Sequence, residues 1–191
     1  MNKIIFIWLG LNVLWAQSEP YQQFLSYMNS DGAKVLSIEF SQEQFGAKYY
    51  STGEFYYLGE DHYIYDSERE MMAFEDGTIT TINKIDQQII YDKTVEGEVT
   101  IFDVLSGKSE FIHTGEPLLE KNGIKIPFKL LEWDMVGYIK TVPNSGKPRV
   151  IQLTMGEESF IKIMVRSSIP LGKKKVPSVN HPTFEIIDLR E

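Results

Sequence analysis

From Ala33 onward, apolar and polar side chains alternate with a period of two over short runs, which is the mark of strands. Leu36, Ile38 and Phe40 alternate with Val35, Ser37, Glu39 and Ser41, as in a half-buried strand. Tyr49–Leu58 continues the pattern, with Phe55 and Tyr57 on one side and Tyr56 and Leu58 on the other. Short strands are predicted at Tyr63–Tyr65, Met71–Phe74, Thr78–Asn83 and Gln88–Asp92, with Glu75-Asp76-Gly77 as a hairpin turn. Further strands are expected at Lys108–His113, Lys125–Trp133, Val136–Val142, Arg149–Met155, Phe160–Ser168 and Phe184–Leu189. Pro117–Glu120 reads as a turn or a strand, and Gly156-Glu157-Glu158 as a tight connection. Pro170–Pro182, with three prolines and Lys173–Lys175, reads as a surface loop.

Two stretches follow helical spacing instead. In Glu19–Asn29, Tyr21, Phe24, Leu25 and Met28 recur on one side, and Pro20 suits a first turn. In Thr94–Gly107, Val99, Phe102 and Leu105 do the same, and Gly107 is placed to cap the end. A sheet of about ten strands tends to curl or close, so one strongly curled antiparallel sheet with two helices is expected. Its inward faces, rich in Ile, Leu, Phe, Tyr and Met, make either an ordinary packed core or a covered apolar pocket; periodicity leaves both open.

The N-terminus departs from all of this. One positive charge at Lys3 precedes the apolar run Ile4–Trp15. At roughly a dozen residues, the run suits a signal peptide and falls short of the ~20 that span a bilayer. A signal peptide over residues 1–18 is therefore expected, cut after Ala16 or Ser18, ahead of a single domain over 19–191. Export to the periplasm follows, with no anchor in the membrane. Roughly 170 residues remain, enough for one sizeable core.

Composition narrows the function. The net charge of −8 becomes one unit more negative when Lys3 leaves with the leader, so nucleic acid is not an expected partner. The absence of cysteine excludes disulfides, thiol catalysis and a thioether-linked lipid anchor. His62, His113 and His181 are dispersed and show no metal-ligand spacing. Ser106-Gly107-Lys108-Ser109 resembles the end of a phosphate-binding loop, but Phe102 stands where that loop needs glycine. The carboxylates Asp66, Glu68, Glu70, Glu157 and Glu158 sit at turns, as solvated faces do. No enzyme, cofactor or metal is indicated.

The stretch Glu75–Ile89 is similar to a segment of the outer-membrane lipoprotein carrier (LolA) family: an Asp-Gly turn, a strand, an Asn/Asp-containing turn, then Gln and an apolar strand. Ile82 stands where an aromatic is usual. Phe40-Ser41-Gln42 resembles the family's Phe-x-Gln, and Gly53-Glu54-Phe55-Tyr56-Tyr57-Leu58 the opening of its second strand. Thr100–Gly107 falls where the family has a lid helix, and Phe184-Glu185-Ile186-Ile187 resembles its terminal strand. The resemblance implies an unclosed β-barrel covered by helices. It also implies a carrier that takes acylated lipoproteins from an inner-membrane exporter to an outer-membrane acceptor, working as a monomer. On that reading Ile38, Phe40, Phe55, Tyr57, Met71, Met72 and Phe74 wall the apolar cavity, and Phe102 and Leu105 belong to the lid. Gly59 stands where the family carries an arginine implicated in holding the lid closed, so that role does not transfer. The alternative is a periplasmic sensor or regulatory module of the same fold, binding a lipid or an envelope protein.

Overall fold

Successive hairpins build most of the molecule, and the two-residue turns Phe45-Gly46 and Asp76-Gly77 return β2 and β5 beside the strands before them. A computed structural model describes residues 18–30, 32–95, 97–108, 110–130, 133–156 and 159–190. The expected leader lies outside them except for Ser18, and so does the Glu157-Glu158 pair. Helix α1 (Glu19–Asn29) precedes β1 (Lys34–Gln44), β2 (Ala47–Gly59), β3 (His62–Ser67), β4 (Glu70–Glu75), β5 (Thr78–Asn83) and β6 (Gln88–Lys93). Helix α2 (Ile101–Ser106) interrupts the meander. Then follow β7 (Ile112–Thr114), β8 (Leu118–Glu120), β9 (Gly123–Leu130), β10 (Met135–Thr141), β11 (Pro148–Thr154), β12 (Phe160–Pro170) and β13 (Glu185–Asp188).

These strands form one sheet in the order β13-β6-β5-β4-β3-β2-β1-β12-β11-β10-β9-β7, with β8 on β9. Among the described residues no ladder joins β13 to β7, so the sheet stays unclosed. Its inward face gathers Leu36, Ile38, Phe55, Tyr63 and Phe74 from one half and Ile126, Phe128, Ile139, Ile151 and Ile163 from the other. Tyr21, Phe24 and Met28 of α1 and all apolar residues of α2 join the same core, so the sheet curls around both helices. At the end of α1, the Lys34 amine donates to the carbonyls of Met28, Ser30 and Gly32, which ties the helix to β1.

The outward face holds a second apolar cluster: Val35, Tyr56, Ile64, Met71, Ala73, Ile82 and Ile89. Leu171, Val176, Val179 and Phe184 pack on it, so the expected surface loop is a strap with exposed lysines and buried aliphatic contacts. Strands β1–β4 are thus covered on both faces. The strap delivers β13 to the far edge, where it runs parallel to β6, whereas every other described strand pair is antiparallel. The strand expected at Lys108–His113 starts only at Ile112. Gly107, at φ 91, and the bond from Lys108 N to the carbonyl of Asp103 keep Lys108 on the end of α2.

Candidate functional site

The short helix α2 begins with a reciprocal cap. The Thr100 hydroxyl accepts from Asp103 N at 3.2 Å, and the Asp103 carboxylate accepts from Thr100 N at 2.7 Å. That arrangement holds the helix in register and aims Phe102 into the inward face of β1–β4. Its ring stacks on Phe40 and Phe55, with centroids 5.8 Å away in each case, and on Tyr65 at 5.1 Å; Tyr63 lies at 6.3 Å.

Polar contacts from the β2–β3 hairpin complete the attachment. The Tyr63 hydroxyl donates to Asp103 Oδ1 at 3.0 Å, and the Ser106 hydroxyl donates to the carbonyl of Glu60 at 3.3 Å. The Lys108 amine lies 3.6 Å from Asp61 and 5.1 Å from the Phe74 ring centroid. Burial pushes the Tyr63 phenol well above its ordinary range, and the negative charge of Asp103 adds to this. The hydroxyl therefore stays a donor. Gly59 ends β2 at the start of this turn and brings no side chain to the attachment.

Beside Phe102 the inward face opens into a hollow of about 310 Å³. Phe40, Tyr65, Met72 and Phe102 supply its apolar wall; Gln42, Tyr49 and Glu70 supply its polar lining. The Tyr49 hydroxyl donates to Glu70 at 2.8 Å, and Ser51 bonds the Tyr65 hydroxyl at 2.7 Å. Burial raises both phenols above their usual range, Tyr49 further through its bond to Glu70, so neither brings charge into the hollow. The Tyr65 ring lies across Gly53: a Cβ there would sit 2.8 Å from Cε2 and 2.3 Å from the Asp66 carbonyl.

Of the residues expected to form the site, Phe40, Met72 and Phe102 line this hollow. Ile38, Phe55, Tyr57, Phe74 and Leu105 lie in the packed core next to it. Met71 is a correction. Neighbours on a strand point to opposite faces, and Met71 lies in the outward cluster while Met72 faces inward. Thr100, Asp103, Tyr63 and Tyr65 were not expected. Thr100-x-x-Asp103 is a readable capping box, and period two places Tyr63 and Tyr65 on one face. Glu70, read as a solvated turn residue, is half-buried on Tyr49, and Asp66 pairs with Lys84 at 2.6 Å.

A larger hollow, about 790 Å³, lies at the other end of the sheet, among His113, Gly115, Pro127, Lys129 and Val136 of the β7–β9–β10 edge. His113, Lys129 and Val136 are exposed, and their strand neighbours Ile112, Phe128 and Leu130 fill the inward core. Phe128 and its pair partner Gly137 also line it, so this hollow is bounded by residues of both faces at that edge and shares no lining residue with the hollow beside Phe102. Among the described residues no group of three or more His, Asp or Glu could hold a metal. Among them, too, no helix is long and apolar enough to cross a membrane.

No family model matches the chain, and no curated protein matches it. Solved structures do. An uncharacterized conserved protein from Thermus thermophilus aligns with TM-score 0.53 at 7% identity, over 88% of this chain and 96% of that one. A DUF1329 family protein from Desulfovibrio piger aligns with TM-score 0.51 at 8% identity, over 87% and 98%. These likenesses define the fold, a curled and unclosed antiparallel sheet wrapped on helices. A LolA superfamily protein from Nitrosomonas europaea also aligns, with TM-score 0.46 at 6% identity, over 83% and 93%.

Proposed function

We propose that this protein is an exported carrier that binds the acyl chains of lipoproteins beneath α2. It moves them through the periplasm, from an inner-membrane exporter to an outer-membrane acceptor. The observation that carries the reading is the hollow of about 310 Å³ closed on one side by a single ring, Phe102, on a six-residue helix. The resemblance of Phe40-Ser41-Gln42, Gly53–Leu58 and Glu75–Ile89 to the lipoprotein carrier family supports the same reading.

Burying a CH₂ group is worth about 0.8 kcal/mol, so a myristoyl-sized chain stands to lose roughly 10 kcal/mol of exposure on entering an apolar space. The hollow sits at the small end of the range of about 300–1,000 Å³ typical of ligand sites. A whole chain therefore needs α2 to lift. A helix this short has little stability of its own and keeps its place through tertiary contacts. Withdrawing Phe102 and Leu105 joins the hollow to the faces of Ile38, Phe55, Tyr57 and Phe74, while Phe40 and Met72 already line it. Residues 1–18 act as the export signal, 19–191 form one monomeric domain, and the acidic surface steers docking to basic patches on exporter and acceptor.

Mass spectrometry of the protein recovered from the periplasm tests this, with an acylated lipoprotein as the expected companion. Delipidated protein should also release acylated lipoprotein from inner-membrane vesicles. If it neither binds nor releases such cargo, the carrier reading is wrong. Recovery of one envelope protein without any acylated species transfers the assignment to the regulatory alternative.

A further inference from the structure

The β1–β2 hairpin is the longest among the described residues, and its tip is chemically odd. Gln44 pairs with Ala47, which leaves Phe45 and Gly46 as a two-residue turn with φ 50 and 79. Two positive φ angles are the geometry that Asn-Gly or Gly-Gly fills without cost. A bulky aromatic in the left-handed region is an outlier. Here the cost has no return inside the molecule, because Phe45 is 87% exposed. The side chain must find its apolar contact elsewhere.

The surroundings say what kind of contact. Gln44, Phe45, Gly46 and Ala47 are all exposed and uncharged, and the nearest charges, Glu43 and Lys48, pair with each other at 3.2 Å. Just behind the tip stand Tyr50, 61% exposed, and the Lys48 side chain, 74% exposed. Such side chains keep their apolar stems in a bilayer's interfacial layer and their polar heads among the headgroups. A hollow of about 450 Å³ runs along the hairpin from Phe45, and it shares Gln42 and Tyr49 with the hollow beside Phe102. The hollow at the tip and the hollow beside Phe102 thus neighbour each other on one side of the hairpin.

We propose that Phe45 inserts into the interface of a phospholipid bilayer, setting the mouth of the inward hollow against the membrane surface. Zwitterionic lipids are the partner, since the net charge of −8 opposes an anionic surface. This contact stands apart from the cargo reading, because it is measured with empty protein and plain vesicles.

The test is co-sedimentation with unilamellar phosphatidylcholine vesicles, with and without phosphatidylglycerol. Wild-type protein should sediment with phosphatidylcholine and more weakly as phosphatidylglycerol is added. Phe45→Asn suits the turn and should fold at least as well, yet lower the partition coefficient about tenfold. Phe45→Trp should show a blue-shifted emission component that brominated acyl chains quench. Sedimentation of Phe45→Asn equal to wild type overturns the proposal. So does an indole that ignores vesicles and shifts only with an added envelope protein, which would make the tip a protein contact. Loss of acyl-probe binding with vesicle binding intact sinks the cargo reading alone.

Discussion

The hydroxyl of Tyr63 donates a hydrogen bond to Oδ1 of Asp103 at 3.0 Å, joining the third strand to the helix that closes the inward hollow. The same carboxylate caps that helix through Thr100. One side chain therefore both starts α2 and fastens it. Tyr63→Phe removes the fastening and leaves the cap, at a cost of about 1–3 kcal/mol. Urea denaturation should register that loss, and a soluble fluorescent acyl probe should associate faster than with wild type. Unchanged association would mean that the bond does not restrain the helix.

Phe102 contributes packing where Tyr63 contributes a polar tie. Phe102→Ala empties a nest of four rings and should cost about 3–5 kcal/mol of stability. Calorimetry measures the loss. Phe102→Asp should also weaken retention of an acylated lipoprotein on a size-exclusion column, because a carboxylate cannot cover an apolar chain.

Met71 and Met72 separate stability from binding. Met72→Trp fills the inward hollow and should abolish uptake of the acyl probe with little change in melting temperature. Met71→Ala removes a contact of the outward cluster, so it should cost about 2–5 kcal/mol while probe affinity stays as in wild type. The reverse pattern, read by titration and thermal melting, would show that the outward face takes the ligand.

Acid should loosen the strap before it loosens the sheet. Lys174 and the Tyr56 hydroxyl both bond Glu54, which holds that carboxyl below its ordinary value of 4.5. A lowered value in the folded state means that the unfolded chain takes up the proton first as pH falls. The contribution is full above about 4.5 and disappears as pH drops through the folded value. Hydrogen exchange of amides in 171–184 should accelerate over that window in wild type and show no such step in Glu54→Gln.

Much of the sheet was legible because period two is set by local geometry. Asp76 and Gly77 take positive φ as their residue types suggest, and Gly107 ends α2 in the left-handed region where the helical spacing stops. Alternation says which residues share a face, but not what covers each face. Val35, Tyr56, Ile64 and Ala73 form a cross-strand row as apolar as Leu36, Phe55, Tyr65 and Met72, so no local pattern could tell inward from outward. The strap that decides the matter contacts β1–β6 from far along the chain. Strand direction was equally hidden: Glu185–Asp188 alternates the same way whether it runs with or against β6. The aromatic nest was half visible, since Phe40, Phe55 and Phe102 were singled out but the tyrosines that complete it were not.

The strap is synthesised after all six strands that carry the outward cluster. A nascent chain halted before Leu171 bares Val35, Tyr56, Ile64 and Ile82 to water and lacks the edge strand that pairs with β6. Closure of the outward cluster is thereby tied to the arrival of a segment more than a hundred residues beyond the first strand it covers.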